Sequence, residues 1–357
     1  MRVLVTGGGT GGHFYPGWVV AQALREAGWQ VFWLGSTNGI EATKLPSSGI
    51  PHRLLRVTGA VGARPLAALV SLLRLVPALA VARGVVGRFR PQVVCSVGGY
   101  ASFPGAAAAA AAAVPLVIQE QNAWPGLTHR LLAPWAAAIA CGFPQALRAF
   151  PSLPASWTGN PIRREFFLLP PAPARRALLV LGGSQGSQFL NRVVPKALSL
   201  LPPGQRPQVV HQSGERWEQE VRQRYQELQV EARVVGFLPE PWQVLKEVPL
   251  VVARAGALSV CELAASGRAA LLIPFAHAAG GHQLVNAQAL AGTGSALVVE
   301  EAQATPTAVA ALLQELLQDP SALAAKGALA KTLAVPDATE RVVRLVSRVA
   351  AQAEVRG

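Results

Sequence analysis

The run Gly7-Gly8-Gly9-Thr10-Gly11-Gly12-His13 concentrates more chemistry than any other stretch of the sequence. It fits GxGxxG as Gly7-x-Gly9-x-x-Gly12 and directly follows Arg2-Val3-Leu4-Val5-Thr6, which reads as a strand. Glycines in that place let backbone N–H groups approach a phosphate, and a helix N-terminus behind them adds positive potential. A dinucleotide site also needs an acid about 20 residues on, at the end of the second strand. Val31-Phe32-Trp33-Leu34 ends instead in Gly35-Ser36, which argues against NAD. His13 stands at the start of the helix, where the dipole lowers an imidazole's pKa. Two roles fit it there: accepting a proton near neutral pH, or only donating a hydrogen bond at the helix start.

A second strand-and-glycine turn, Ala177–Leu181 into Gly182-Gly183-Ser184-Gln185-Gly186, suits an anion in the same way. Arg254-Ala255-Gly256-Ala257 follows a third apolar run. It places Glu262 in the first turns of a helix, either as a partner of the dipole or as an acceptor for ribose hydroxyls. The polar, glycine-bearing stretch 274–286 lies in otherwise apolar surroundings, as ligand-touching loops do. His277 and His282 have no third ligand nearby, and the chain's two aspartates, Asp319 and Asp337, stand alone. No carboxylate cage for Mg²⁺ is in view, so phosphate chemistry here has to rely on amides and cations.

These groups need a frame. The composition, 51% hydrophobic and 14% charged, excludes intrinsic disorder, and 357 residues suit two domains. Apolar runs at 2–6, 30–34, 52–57, 92–97, 115–119 and 137–141, and again at 177–181, 207–212, 232–236, 249–253, 269–273 and 296–299, alternate with helical stretches. Continuous rather than alternating runs predict parallel strands buried on both faces, in two doubly wound α/β domains. Residues 151–173, rich in proline and glycine, read as the linker. Asp337-Ala338-Thr339-Glu340 reads as a capping box opening a last helix, and Thr305-Pro306 opens an earlier one. Cys95, Cys141 and Cys261 form no CxxC, and the N-terminus shows no leader, so a reducing cytosol is expected.

The net charge of +13 is uneven: residues 1–158 carry +9. That points to an anionic partner, with an arginine-rich composition (27 of 32 basic residues) as the plain alternative. Charge alone would also admit nucleic acid, but no binding motif or aromatic platform accompanies it. Between Arg64 and Arg90 leucines and valines interleave with arginines, as in a segment lying on anionic lipid or in an ordinary core-packing helix pair. Pro77 is expected to divide it into two helices.

In order along the chain, several motifs resemble the MurG family of GlcNAc transferases. They are Gly7–His13 with Pro16-Gly17, Gly98-Gly99-Tyr100, Glu120-Gln121-Asn122, Gly159-Asn160-Pro161-Ile162-Arg163 and Gly182–Gly186. Arg254–Ala257, Glu262, His282-Gln283 with Asn286, and Pro336–Arg341 complete the series. The resemblance implies an α/β GT-B fold, two Rossmann-like parallel-sheet domains facing a cleft. An acceptor- and membrane-binding domain would span 1–158, with helix 337–357 packing back on it, and a UDP-GlcNAc-binding domain 159–336. It implies inverting, β-1,4-forming transfer from UDP-GlcNAc to undecaprenyl-diphosphate-linked MurNAc-pentapeptide, lipid I to lipid II, in peptidoglycan synthesis. It further implies no tightly bound cofactor or metal, with room for stimulation by divalent ions. The site would be peripheral, on the cytoplasmic face of the membrane, with cell-wall synthesis or division proteins as further partners.

Carried over by motif, His13 would be the general base and Glu120 a second catalytic residue. Thr10, Gly11, Gly12, Asn122, Arg163, Ser184, Leu238, Ala257, Leu258, Glu262 and Gln283 would bind substrate, with the backbone of Leu238 meeting uracil. Gln119 stands where the family often has histidine, Gly280-Gly281 replace an acidic pair, and Cys261 replaces a serine. Two other readings share the fold: a transferase acting on another lipid, such as diacylglycerol, and a UDP-GlcNAc 2-epimerase.

Overall fold

A computed structural model describes residues 1–59, 65–183 and 185–356, apart from the side chains of residues 65–72, 279 and 354–356. The chain forms two compact units, Met1–Ile162 with Val335–Gly357, and Arg163–Ala334.

In unit 1 the apolar runs become β1 (Arg2–Thr6), β2 (Gln30–Ser36), β3 (His52–Leu55), β4 (Val93–Ser96), β5 (Leu116–Glu120), β6 (Ala136–Cys141) and β7 (Ala155–Trp157). They pair in parallel in the order β3-β2-β1-β4-β5-β6-β7. Between them run α1 (Gly11–Glu26), the single turn α2 (Glu41–Lys44), α3 (Pro65–Phe89), α4 (Phe103–Ala111) and α5 (Leu127–Leu132). In unit 2 the order is β10-β9-β8-β11-β12-β13, again all parallel. These strands are β8 (Ala177–Leu181), β9 (Gln208–Gln212), β10 (Arg233–Val235), β11 (Leu250–Ala253), β12 (Ala269–Leu272) and β13 (Ala296–Val298). The helices are α6 (Gln188–Ser199), α7 (Glu218–Glu227), α8 (Pro241–Leu245), α9 (Ala257–Ser266), α10 (His282–Ala291), α11 (Pro306–Leu317) and α12 (Pro320–Ala328). The last helix, α13 (Ala338–Arg356), returns to unit 1. Its stripe Val342, Leu345, Val346 and Val349 joins the core formed by Val3, Val5, Phe14, Val20 and Trp33.

Both sheets change winding direction beside their first strand, between β1 and β4 and between β8 and β11. Open α/β sheets bind ligands at such switch points, outside the carboxyl ends of the strands. The glycine turns after β1 and β8 therefore stand where ligand chemistry is expected.

Three readings of the sequence change. The segment 155–162 belongs to unit 1 rather than to a linker. Its strand β7 pairs with β6, and Asn160 donates to the Gln121 carbonyl at 2.8 Å while accepting from Gln119 Nε2 at 3.1 Å. The units accordingly divide at 162/163 and 334/335, not at 158/159 and 336/337. Pro77 does not split its segment, because α3 runs unbroken from Pro65 to Phe89. Proline removes a single helical N–H, and here it sits on the exposed side, where water can serve the carbonyl left over. Asp337 does precede α13, but its carboxylate takes Arg341 Nε at 2.9 Å, a side-chain pair at (i, i+4).

One buried cation ties elements of unit 2 together. Arg268, fully buried between α9 and β12, donates to the carbonyls of Leu245 at 2.8 Å and Pro170 at 3.0 Å, and to that of Ser266. It joins the ends of α8 and α9 to the segment that follows Arg163. Burial lowers its guanidinium to about 10. Replacing Arg268 with Met is expected to strand these carbonyls and cost about 3 kcal/mol. Thermal or urea unfolding of the variant measures this directly.

Candidate active site

In unit 1 the glycine turn is held from within. Gly7 N–H donates to the Leu34 carbonyl at 3.1 Å, and Gly8 N–H to that of Gly98 at 3.3 Å. Gly9 N–H donates to the carboxylate of Glu41 at 2.9 and 3.0 Å. Gly7–Gly9 all have positive φ, between 93° and 140°, which only glycine adopts readily. The expectation that these amides cradle a phosphate is therefore corrected: they are occupied. What the turn presents at the head of α1 is the backbone of Thr10, Gly11 and Gly12, where a helix lacks internal acceptors for its N–H groups.

His13, the third residue of α1, lies over the Gly98-Gly99 turn that follows β4. A Cβ on Gly98 would stand 3.0 Å from its Nδ1, and one on Gly99 would stand 3.1 Å from its Cδ2. Both glycines have positive φ, so a bare, left-handed backbone forms the floor under the ring. His13 Nδ1 lies 2.9 Å from Gln121 Oε1. The Gln121 amide is oriented by its other end, which donates to the carbonyls of Val97 at 2.9 Å and Gln119 at 3.0 Å. Oε1 can only accept, so when the ring is neutral His13 carries its proton on Nδ1 and its lone pair on Nε2. Gln121, quoted in a motif but given no role, selects that tautomer.

Glu120 is almost fully buried. One oxygen accepts from the N–H of Asn122 at 2.8 Å and from its Nδ2 at 3.1 Å. The other accepts from Gly126 N–H at 3.2 Å and lies 2.8 Å from His129 Nδ1. Burial raises the carboxyl pKa, but the His129 and Asn122 contacts outweigh it, so it lies below its ordinary value. His129, whose Nε2 meets Ser96 Oγ at 3.2 Å, was not legible in the sequence. A Cβ on Gly98 would also stand 3.0 Å from its Cε1, so both imidazoles rest on one glycine. Gln119, the departure from the family pattern, is spent inside unit 1 on Asn160.

In unit 2, Arg163 and Glu262 meet at 3.5 Å. The Arg163 guanidinium lies 4.5 Å over the Trp242 ring and donates to the Pro239 carbonyl at 3.0 Å, directly after Leu238. Burial pushes the Glu262 carboxyl up to about 7, and the neighbouring Arg163 holds it from going higher. Ala257 and Leu258 open α9, the helix that carries Glu262. Gln283 Oε1 accepts from Ala255 N–H at 3.2 Å and Phe275 N–H at 2.9 Å, pinning the turn after β11 to that after β12. Arg254, quoted in a motif but given no role, crosses the switch point. It donates to Ser187 Oγ at 3.0 Å and to Glu301 Oε2 at 2.9 Å. Ser184 lies outside the described residues. Gly280 and Gly281, which replace an acidic pair, both have φ of 66°. An acidic residue would be strained in that conformation.

Comparison with known proteins follows the same division. Residues 3–141 match the glycosyltransferase family 28 N-terminal domain and residues 177–342 its C-terminal domain. Two relatives carry the name UDP-N-acetylglucosamine–N-acetylmuramyl-(pentapeptide) pyrophosphoryl-undecaprenol N-acetylglucosamine transferase. The protein from Stutzerimonas stutzeri is 42% identical over 98% of this chain and 99% of its own. That from Pseudomonas syringae pv. tomato is 43% identical over the same shares. The crystal structure of Acinetobacter baumannii MurG superposes with a TM-score of 0.79 at 29% identity, covering 97% of this chain and 99% of its own. A UDP-GlcNAc 2-epimerase from Neisseria meningitidis, at 12% identity and a TM-score of 0.67 over 98% of this chain and all of its own, shares the fold alone. Two parallel-sheet units, a glycine-floored histidine in one and an Arg–Glu pair in the other, are thus joined to full-length likeness, and the chain belongs to glycosyltransferase family 28, within its MurG family.

Proposed function

We propose that this chain transfers GlcNAc from UDP-GlcNAc to the MurNAc of undecaprenyl-diphosphate-linked MurNAc-pentapeptide, converting lipid I to lipid II by a single inverting displacement. Likeness to the named transferases over nearly the whole chain carries this reading. His13 Nε2 takes the proton of the MurNAc 4-hydroxyl. That oxygen bonds to the anomeric carbon of GlcNAc as the bond to UDP breaks, α becoming β. UDP leaves with the electron pair. Its growing charge is met by backbone N–H groups at helix starts and by arginine, which do such work well when preorganised. No resident metal is assigned. Asp319 caps α12 by accepting from Ser321 and Ala322 N–H, and Asp337 pairs with Arg341, so both aspartates already have structural roles. Glu262 is assigned to the ribose hydroxyls and the Leu238 backbone to uracil. Glu120 is reassigned from catalysis to positioning: with its oxygens committed to Asn122, Gly126 and His129, it holds the 121–126 turn that carries Gln121.

Membrane contact is part of this reading. The acids of residues 1–158 are Glu26, Glu41 and Glu120, and the last two are buried, so the exposed charge there is almost wholly basic. Leu73 and Val76 stand about two-thirds exposed on α3, at 65% and 69%, beside exposed Arg74. Among the described residues no helix is long and apolar enough to cross a membrane. An apolar face fringed with arginine suits a peripheral hold on the anionic, cytoplasmic leaflet.

Turnover of radiolabelled UDP-GlcNAc with a short-chain lipid I analogue tests the assignment; donor consumed without acceptor would instead indicate an epimerase. His13→Ala is expected to cut turnover about 10²–10⁴-fold while UDP-GlcNAc affinity stays near wild type. Unchanged turnover removes His13 as the base.

Glu262 gives a pH signature. Its folded carboxyl titrates near 7, above its unfolded value of about 4.3. Its contribution to stability is therefore full at low pH and lost as the pH rises through about 7. Binding of ribose to the carboxylate runs the other way. From pH 8 to pH 6, UDP affinity should weaken about tenfold more in the wild type than in Glu262→Gln, measured by calorimetry. Parallel profiles would show that the ionised carboxylate does not hold the donor.

Replacing Leu73 and Val76 together with Ser should weaken binding to phosphatidylglycerol vesicles at least about tenfold without lowering Tm. Undiminished vesicle binding would place the lipid contact elsewhere.

A further inference from the structure

Glu41 lies fully buried on the one-turn helix α2. Besides its two contacts with Gly9 N–H, Oε1 accepts from Ser36 N–H at 2.7 Å, at the end of β2. Three glycines make room for it. A Cβ on Gly8 would stand 2.5 Å from the carboxyl carbon and one on Gly35 2.6 Å from Cγ, while one on Gly39 would overlap the carboxylate oxygens. The neighbouring amides of Gly7 and Gly8 are spent on carbonyls. In a dinucleotide fold the loop meets a pyrophosphate and an acid at the end of the second strand meets a ribose. Here one acid, arriving five residues beyond that strand, answers the loop and the strand end together.

We propose that Glu41 is the built-in anion of the first glycine turn. It is a positioning residue that closes residues 7–9 to phosphate and sets the head of α1. The connection is short. Gly9 precedes Thr10, whose carbonyl accepts from the N–H groups of His13 at 3.1 Å and Phe14 at 3.0 Å. Moving Gly9 therefore moves the first turn of the helix and the ring of His13. The catalytic consequence rests on the reading of His13 as base; the lock on the turn does not.

Glu41→Ala leaves a hole the length of a carboxylate side chain, facing two amides. Acetate can bridge them as the native carboxylate does, and chloride cannot. Turnover should fall about 10²-fold, the cost of roughly an ångström of misplacement. Acetate should restore at least about tenfold of it, and chloride at equal ionic strength should not. Calorimetry should show acetate binding to Glu41→Ala and none to the wild type. Wild-type turnover, or a loss with neither acetate rescue nor acetate binding, overturns the proposal. Should Glu41→Ala fail to fold, Glu41→Gln decides, because Gly9 N–H meets both carboxylate oxygens and would face the NH₂ that replaces one of them. A folded Glu41→Gln with turnover within about threefold of wild type also overturns it. His13→Ala run in parallel separates the two readings. If it keeps turnover while Glu41→Ala binds acetate, the base assignment fails and the lock stands. If it loses turnover while Glu41→Ala binds nothing, the lock fails alone.

Discussion

A buried backbone N–H must find an acceptor, and beyond the carboxyl end of a central parallel strand the ladder serves only the first amide, Gly7, through Leu34 of β2. Everything at the head of α1 depends on how this chain meets that constraint. The three amides after β1 go to the Leu34 carbonyl, the Gly98 carbonyl and the Glu41 carboxylate, which belong to three different segments. Positive φ at Gly7, Gly8 and Gly9 turns the amides toward these acceptors, so the glycines serve the path of the chain as much as any ligand. Trp33 closes the arrangement from below, its indole N–H donating to the Gly7 carbonyl at 3.1 Å from a fully buried position. The direction in which α1 leaves the sheet, and with it the place of His13, follows from these contacts.

The two units treat buried charge differently, and the difference follows the work assigned to each. In unit 1 Glu120 is saturated by two backbone amides, one side-chain amide and an imidazole. A carboxylate so enclosed has nothing left for a substrate, but it fixes the turn that orients Gln121. In unit 2 Glu262 has the single cation Arg163 at 3.5 Å, and burial lifts its carboxyl to about 7. An acid held in that state is poorly satisfied by the protein alone, and carboxyls perturbed in this way cluster at functional sites. His211 shows the structural extreme. Buried between Tyr225 and Asn191, it is driven down to about 3 and stays neutral, and Asn191 in turn holds the Ser213 carbonyl beneath the second glycine turn.

What the sequence disclosed followed from burial. Strands covered on both faces must be continuous apolar runs, so β1, β4, β5, β8 and β11 could be placed within a residue or so. Strand β7 is three residues long, with Ser156 and Trp157 exposed, and sits among prolines; no continuous apolar run marks it. No acid stands at the end of β2, which closes on Ser36. Glu41 was hidden because a helical turn, not the strand, brings the carboxylate back. His129 was hidden because its meeting with Glu120 joins two elements nine residues apart, and neither periodicity nor motif spacing encodes that contact. Glu262 was singled out by its place at a helix start and Arg163 only through a family motif; ninety-nine residues apart, their meeting is a property of the folded unit.

The same burial explains how a modest charge count becomes a strongly polarised surface. Residues 1–158 hold twelve basic and three acidic side chains. Had the acids been spread over the exterior, much of the field would cancel at short range. Instead Glu41 and Glu120 are consumed inside, one by the glycine turn and one by the loop that orients Gln121, and Glu26 alone among them faces solvent. The arginines of α3 are not drawn inward in this way, and Arg74, Arg83 and Arg88 are all exposed. Building the site thus strips negative charge from the exterior of unit 1. The basic excess of residues 1–158 therefore sits on the exterior, and the reach of its field shortens as salt shortens the Debye length.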